Sequence, residues 1–393
     1  MSEYLFTPLP WSEEPLTLSD DSVAELSTLE ITFVRFDEQS VRYEYRSSLK
    51  KALARLNAIA TTRMNSSMPN LLAVLWLSAM QESEDSKGVS VSDCPFVTRS
   101  GDAALAIDAF NYMRRIDKIM AVPLSKPINQ QWFFDTHAIF TSDKQGIQND
   151  CYRTDPLWID NSPISERACW GANPSDIPAL MQDLVDFLST PKMTPTVQAA
   201  LAHFQLHAIQ PFSVATDHVE RSLSMTLVKK AGIADHIFPC FNLAAASHPD
   251  AYARALAPYL YDSNGDMETW IESWLRYCAC EMNYALQTAK AYMANIHSII
   301  EGWKRLIQPV QHGSTIDVLL RELPGQPMIN TSIGMALTGK SFTTVREAIL
   351  SLEAAGIIQR AGSTNRSKLY VAGQVIDVEQ ALLDKLDQSR PQA

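Results

Sequence analysis

The sequence predicts a mostly α-helical body that carries one β-hairpin, followed by a winged helix-turn-helix domain. Three observations lead to this fold class. Apolar residues recur at helical spacing over most of the first 307 residues, as between Leu49 and Ile59. Strand-forming residues flanked by turn formers interrupt this pattern between residues 145 and 163. After Thr315 the helical stretches become short, and a second hairpin pattern follows them.

The body is predicted from its N-terminus onward. Prolines at positions 8, 10 and 15 predict an extended arm and then a short helix within the first 40 residues. The other predicted elements are helices at 40–62, 68–80, 102–120, 130–140, 175–190, 194–209, 219–231, 250–261 and 267–307, with a surface loop at 81–92. Tyr152, Leu157, Trp158 and Ile159 are the strand formers of the predicted hairpin.

The C-terminal elements follow a different order. Short helices are predicted at 316–323, 331–337 and 341–355, with the turn Thr338-Gly339-Lys340 before the third. Strands are predicted to begin at 357 and 369. Helix, helix, tight turn, helix and hairpin is the order of a winged helix-turn-helix. We therefore predict this domain at 315–378, after a linker at 308–314 and before a C-terminal tail at 379–393.

The composition is that of a folded globular protein with a negative surface. Of its 393 residues 46% are hydrophobic and 20% are charged, and the formal net charge is −11. No stretch approaches the roughly 18 consecutive apolar residues that a membrane span needs, and the N-terminus lacks the pattern of a secretory signal. Six scattered cysteines favour reduced thiols. These features predict a cytoplasmic protein without membrane contact.

His203 and His207 lie four residues apart on one predicted helix, a spacing that can bind zinc. Phe204 follows His203, where a metalloprotease helix has glutamate, and no third ligand has a diagnostic spacing. We therefore predict no metal site from this pair.

The segment around these histidines, AALAHFQLHAIQPFSVATDHVER, resembles the central helix–loop–helix of the Fic/Doc family. The usual motif of that family reads His-Pro-Phe-x-Asp/Glu-Gly-Asn-Gly-Arg-x-x-Arg, and Pro211, Phe212 and Arg221 match it. IPALMQDLVDFLS at 177–189 looks like the helix before the core helix, and CYRTDPLWID at 151–160 looks like the flap hairpin. The resemblance implies a Fic-associated helical region at 1–95 and a Fic-like core at 96–307.

The resemblance also implies a chemistry. Fic proteins transfer AMP from ATP onto a protein hydroxyl, and the motif histidine is the general base. The acidic motif residue holds magnesium, while the glycine-rich backbone and both arginines contact the phosphates.

This sequence departs from the motif at most of those positions. Gln210 stands in the histidine position, and an amide has no titratable proton near neutral pH. Val214 replaces the acidic residue and offers no side-chain oxygen to magnesium. The other changes are Ala215, Thr216 and Asp217 in the Gly-Asn-Gly positions and His218 in the position of the first arginine.

These changes predict a pseudoenzyme that uses neither ATP nor magnesium and has no metal site. Any residual nucleotide binding would fall on Arg221, Thr216 and His218. The alternative is an adenylyltransferase with a displaced active site. In that case His218 or His207 is the base, Asp217 is the metal ligand, and ATP and magnesium remain the cofactors.

Many Fic proteins also carry a self-inhibitory helix that reads Ser/Thr-x-x-x-Glu-Gly/Asn. The nearest match is Thr61-Thr62-Arg63-Met64-Asn65-Ser66, where Asn65 takes the place of the inhibitory glutamate. If the match holds, the inhibitory charge has been lost together with the active site. The alternative is that this stretch is only the end of a helix.

The winged helix accompanies many bacterial Fic proteins, and here it is locally basic. From Lys340 to Lys368 there are five basic residues (Lys340, Arg346, Arg360, Arg366, Lys368) and two acidic residues. The predicted DNA contacts are Ser341, Thr343, Thr344 and Arg346 on the recognition helix and Arg366 and Lys368 on the wing.

The sequence thus predicts a bacterial transcription regulator that binds DNA. A homodimer through the Fic-like body and an unknown protein partner are the other expected contacts. A pure protein-interaction scaffold remains an alternative, because winged helices also serve as interaction modules.

Overall fold

The computed structural model describes residues 8–12, 16, 18–81, 91–97, 101–160, 167–190, 193–236, 241–261, 267–363 and 368–388. The elements of the first half are α1 (Asp20–Ser40), α2 (Arg46–Asn65), α3 (Leu71–Gln81), α4 (Asp102–Met120), α5 (Gln130–Thr141), β1 (Leu157–Asp160), β2 (Arg167–Trp170), α6 (Ile177–Ser189), α7 (Pro195–Ile209) and α8 (Thr216–Lys230). The second half contains α9 (Phe241–Ser247), α10 (Pro249–Tyr261), α11 (Met267–Leu306), α12 (Thr315–Glu322), β3 (Met328–Ile329), α13 (Thr331–Thr338), α14 (Phe342–Ala354), β4 (Gln359–Ser363), β5 (Lys368–Val371) and α15 (Gly373–Gln388).

The mostly α prediction is confirmed, with corrections at particular elements. The helix after the N-terminal arm is not short, because α1 runs for 21 residues and buries Leu26, Phe33 and Phe36 along its length. The hairpin exists, but its second strand ends at Trp170, beyond the predicted range, and pairs with Leu157 of β1. Tyr152 lies outside both strands.

The chain divides into two compact units, each made of three stretches of the sequence. The first unit contains residues 1–35, 114–235 and 249–283, and the second contains 36–113, 236–248 and 284–393. Helices α1, α4 and α11 each contribute residues to both units.

The first unit is built around α7 and α8, which pack against each other. Leu206 and Ile209 of α7 are fully buried, and the Trp274 indole donates to the carbonyl of Ala200 at 2.7 Å. The predicted N-terminal arm is fixed at Trp11, whose backbone N–H donates to Asp183 on α6 at 2.6 Å.

The second unit contains helix α2, most of whose residues are buried. Arg55 on α2 donates to the carboxylate of Glu379 on α15 at 2.9 and 2.5 Å and to the carbonyl of Gly325 at 2.9 Å. Both side chains of this ion pair are buried. Ser48, two turns earlier on α2, donates to the carbonyl of Arg321 at 2.7 Å. Residues after 314 therefore make polar contacts with α2.

These last elements form what we call the C-terminal module, residues 315–388. Its three strands have the order β3-β5-β4 and are antiparallel. Gly334 lets α13 approach α14, because a Cβ at this position would lie 2.6 Å from Val345. The predicted tail is corrected as well. Residues 379–388 are the last turns of α15, where Leu383 and Leu386 are buried, while residues 389–393 lie outside the described part.

Among the described residues, no helix combines the length and apolar character that spanning a bilayer requires. The cysteines that the structure describes (Cys94, Cys151, Cys169, Cys278, Cys280) are free thiols.

Candidate functional site

The first candidate site is the connection between α7 and α8, residues 210–215, which we call the motif loop. Pro211 cannot continue α7, because it lacks the N–H of the next helical hydrogen bond. Two non-glycine residues bracket the loop in the left-handed backbone conformation, Gln210 at φ 48° and Ala215 at φ 62°. This conformation costs an L-residue about 1–2 kcal/mol. Contacts around the loop must therefore offset this strain.

Gln210 directs its amide back onto its own helix. The side-chain Nε2 donates to the carbonyl of His207 at 2.8 Å, and the residue is 6% exposed. Its backbone N–H donates to the carbonyl of Leu206 at 3.1 Å. The group in the general-base position is thus a neutral amide whose N–H is used in closing α7.

Arg153, which precedes β1, holds the motif loop from outside α7 and α8. Its buried guanidinium donates to the carbonyls of Gln210 at 2.7 Å and Ala172 at 2.5 Å. A further donation reaches the carbonyl of Asp155 at 2.9 Å. The backbone N–H of Arg153 donates to the carbonyl of Pro211 at 2.9 Å. Sequence reasoning missed this residue, because no spacing relates it to a loop 57 positions away.

Gly171 allows this close approach. It has φ +81°, and a Cβ there would lie 2.7 Å from the Cβ of Gln210 and 3.0 Å from the carbonyl oxygen of Ile209. A side chain at residue 171 would therefore displace the start of the motif loop.

His137 on α5 fixes the far side of the loop and was also missed. Its ring stacks on Phe212, with centroids 4.0 Å apart and planes 6° apart. Its Nε2 donates to the carbonyl of Val214 at 3.2 Å. Burial lowers the pKa of His137, so the imidazole is neutral at pH 7. The backbone oxygen of Val214 is thereby used in a hydrogen bond within the protein.

The remaining predicted residues lie in the first turns of α8. The helix was predicted to begin at Val219, but it begins at Thr216, directly after the left-handed Ala215. Thr216 is buried and donates to the carbonyl of Phe212 at 3.2 Å. Asp217 accepts from Arg221 at 2.7 Å. The arginine that matches the motif therefore faces a carboxylate of its own helix.

His218 is held between aromatic and charged neighbours. Its ring stacks on Phe140 at a centroid distance of 4.9 Å, and its Nδ1 lies 3.5 Å from the carboxylate of Asp217. Burial lowers the pKa of His218 to about 4, and the attraction of Asp217 only partly opposes this effect. The imidazole is therefore neutral and a weak base at pH 7.

His203 and His207 point to a fully buried glutamate on α8. His207 Nδ1 lies 3.2 Å from both carboxylate oxygens of Glu220, and His203 Nε2 lies 3.9 Å from one of them. Burial opposes ionisation of Glu220, but the two imidazoles and Arg221 leave its pKa below the usual value. Burial also lowers the pKa of His203 to about 4.

Potential metal-ligating atoms come together outside the motif loop, near the start of α12. Within the described residues, the three donor residues whose ligand atoms lie within 4.8 Å of one another are Glu44, His312 and Asp317. Asp317 already accepts from Arg321 at 2.7 Å, and Glu44 and His312 are exposed. The described residues thus provide no convincing metal centre.

Comparison with solved structures identifies the architecture. A Fic family protein from Desulfovibrio desulfuricans G20 matches 94% of this chain and 99% of its own, with a TM-score of 0.51 and 15% sequence identity. This chain has a Fic-like fold. A Fic domain containing signaling protein from Bacteroides thetaiotaomicron VPI-5482 has a TM-score of 0.47 and 14% identity over 68% of this chain and 95% of its own. Fic-1 from C. elegans has a TM-score of 0.45 and 15% identity over 69% of this chain and 71% of its own. No protein-family model and no curated protein matches the sequence.

The second candidate site of this Fic-like chain is a surface of the C-terminal module. The predicted contact residues Ser341, Thr343, Thr344 and Arg346 are all exposed at the start of α14, and Lys368 of β5 is exposed as well. Ser341 also caps the helix, because its hydroxyl accepts from the backbone N–H of Thr344 at 3.4 Å. Arg366 lies outside the described residues.

Two further observations complete this surface. Phe342, the first residue of α14, is 57% exposed, and sequence reasoning gave it no role. Arg360 of β4, which lies opposite Tyr370 of β5 in the sheet, is exposed as well.

The predicted inhibitory position lies at a helix end. Asn65 is the last residue of α2 and is exposed. Two residues before it, Arg63 donates to the carbonyl of Leu386 at 3.2 Å. In the described structure, the end of α2 thus contacts α15 through this hydrogen bond.

Proposed function

We propose that this Fic-like protein has lost adenylyltransferase activity and binds DNA through a winged helix-turn-helix formed by the C-terminal module. The observation that carries the proposal is the exposed start of α14. On a chain with a net charge of −11, this helix presents hydroxyls and a guanidinium to solvent in the turns where a recognition helix meets DNA.

The order and contacts of the module support this assignment. Helices α12, α13 and α14 pack together, and β4 and β5 form the antiparallel pair in the position of a wing. Lys340, Arg346, Arg360 and Lys368 are exposed, while Glu347 is the exposed acidic residue on the same stretch. Phosphate contacts supply most of the affinity of such modules for DNA.

The motif loop supports the loss of AMP transfer. Removing a general base typically lowers a rate by about 10²–10⁴, and Gln210 cannot serve as one. Val214 has no carboxylate for magnesium, and Asp217 neutralises Arg221, the arginine that matches the motif. The candidate replacement base His218 is partly buried, and this lowers its pKa to about 4.

A gel-shift assay tests the DNA-binding proposal. The full-length protein should shift a pool of random duplexes, with an affinity that falls steeply between about 50 and 200 mM salt. The double variant Arg346→Ala/Lys368→Ala should lower the slope of log affinity against log salt by about 0.9 per lost phosphate contact. The matched control is Lys385→Ala, since Lys385 is an exposed cation on α15. Absence of a shift at low salt would leave the interaction-scaffold alternative.

Incubation with labelled ATP and magnesium tests the loss of transfer. We expect no AMP on the protein itself or on lysate proteins. Gln210→His alone should not restore labelling, because Val214 still provides no metal ligand. Strong labelling by the wild-type protein that disappears in Arg221→Ala would contradict the proposal and support a displaced active site.

A further inference from the structure

Phe342 occupies an unusual position for a phenylalanine. It is the first residue of α14, and it is the only phenylalanine in the described part of the chain with more than half of its surface exposed. Phe342 lies three residues before Val345 and seven before Ile349, so it continues the row of buried residues into the first turn of the helix, where its own ring stays exposed. Covering an exposed aromatic ring with a binding partner removes apolar surface from water and therefore favours binding.

The residues around Phe342 are polar or cationic. Ser341 precedes it, Thr343 and Thr344 follow it, and all of these are exposed. Arg346 lies four residues later, on the same side of the helix. The ring is therefore an apolar position within a surface that is suited to an anionic partner.

A duplex offers one apolar group that such a ring can recognise. In the major groove, thymine presents its 5-methyl group, and side chains at the N-terminus of a recognition helix are those that reach base edges. Phosphates on either side would meet the cations of α14 and β4. This match of charge and apolar contact favours DNA over a protein partner.

We propose that Phe342 determines sequence specificity by packing against the methyl group of a thymine in the bound site. The inference rests on the proposed DNA-binding function and adds to it a base preference. Removing one buried methyl group should weaken binding about fourfold.

The experiment uses full-length protein and a duplex enriched from the random pool by repeated binding selection. Each thymine of that duplex is replaced in turn by uracil, which lacks the 5-methyl group and keeps the same hydrogen bonds. Wild-type protein should lose about fourfold in affinity at one position or two adjacent positions. Phe342→Ala should bind the thymine and uracil duplexes equally, with an unchanged salt slope, because the phosphate contacts remain.

Leu350→Ala is the matched control, because Leu350 is an exposed apolar residue of the same helix, two turns after Phe342. This variant should discriminate thymine from uracil as the wild-type protein does. Circular dichroism melting confirms that each variant is folded.

Three outcomes would overturn the inference. Equal wild-type affinity for every uracil duplex would reject the role of Phe342 and leave DNA binding intact. Discrimination that persists in Phe342→Ala would assign the methyl contact to another residue. If the wild-type protein binds no DNA at low salt, the proposed function and this inference fail together.

Discussion

The motif loop and the start of α14 use similar polar groups in opposite ways. In the motif loop the Gln210 amide and the Val214 carbonyl each form a hydrogen bond within the protein. On α8, just after the loop, the Arg221 guanidinium pairs with Asp217. At the start of α14 the side chains of Thr343 and Arg346 are exposed to solvent.

The state of these polar groups bears on where a ligand can bind. A donor or acceptor that already has a good partner in the folded protein gains little by exchanging it for a ligand. An exposed group exchanges water instead, and a guanidinium that meets a phosphate also releases a counterion. The contrast therefore supports the proposed binding surface on the C-terminal module over a ligand site at the motif loop.

The first test asks whether the buried ion pair between Arg55 and Glu379 stabilises the fold. Glu379→Ala leaves Arg55 buried without its carboxylate, and loss of one partner of a buried ion pair costs about 3–5 kcal/mol. Urea unfolding measures the free energy of unfolding. The control Glu347→Ala removes an exposed carboxylate and should change it by at most about 0.5 kcal/mol.

The double variant Arg55→Met/Glu379→Leu sharpens this test. Because it removes both charges, it should recover part of the loss seen in Glu379→Ala. A single variant as stable as the wild-type protein would show that the pair does not hold α15 on α2.

The second test concerns the closure of the motif loop itself. Gly171→Ala forces a Cβ to within 2.7 Å of Gln210 Cβ in a left-handed conformation, and we expect a loss of about 3 kcal/mol. Gly146→Ala is the matched control, because Gly146 has φ +79° with open space around it. Gly146→Ala should lower the free energy of unfolding by only about 1 kcal/mol, because alanine is strained in the left-handed conformation but meets no neighbour there. Equal losses in urea unfolding would mean that residue 171 does not press on the loop.

The third test uses pH. Because burial lowers the pKa of His218 to about 4, below the roughly 6.5 of an unfolded chain, the unfolded state binds more protons between these values. The free energy of unfolding is therefore unaffected by His218 above about pH 6.5 and falls as the pH drops towards 4. At pH 5 it should be about 2 kcal/mol lower than at pH 7.

Comparison of variants separates this titration from packing. His218→Phe and His218→Gln should both show a smaller loss of unfolding free energy between pH 7 and pH 5 than the wild-type protein. A loss as large as that of the wild-type protein in both variants would show that the pKa of His218 is not lowered in the folded protein.

The fourth test concerns the left-handed backbone of Ala215. Glycine adopts the left-handed conformation without strain, so Ala215→Gly should be neutral or stabilising by up to about 1 kcal/mol. The same change at Ala381, exposed in the middle of α15, should destabilise by about 1 kcal/mol. Thermal melting of the two variants compares them directly. A clear loss in Ala215→Gly would mean that the motif loop is not strained at this position.

Much of the fold could be predicted because helical periodicity and proline positions are local signals. The helix predicted at 194–209 is α7, which begins at Pro195, and the helix predicted at 130–140 ends one residue later than predicted. Helix α9, strand β3 and helix α15 were missed. Strand β3 has two residues, and α15 is stabilised by Arg55, which lies 324 positions away.

The candidate sites also combine features that the sequence predicts with contacts that it does not. Residue types alone determined that Gln210 is no base, that Val214 provides no carboxylate and that the start of α14 offers hydroxyls and cations. The partners of these groups follow from the packing of distant segments, because His137 and Arg153 lie 77 and 57 positions away from the residues of the motif loop that they contact. A sequence specifies donors and acceptors one residue at a time, whereas hydrogen bonds depend on which distant backbone atoms the packed helices bring within about 3 Å.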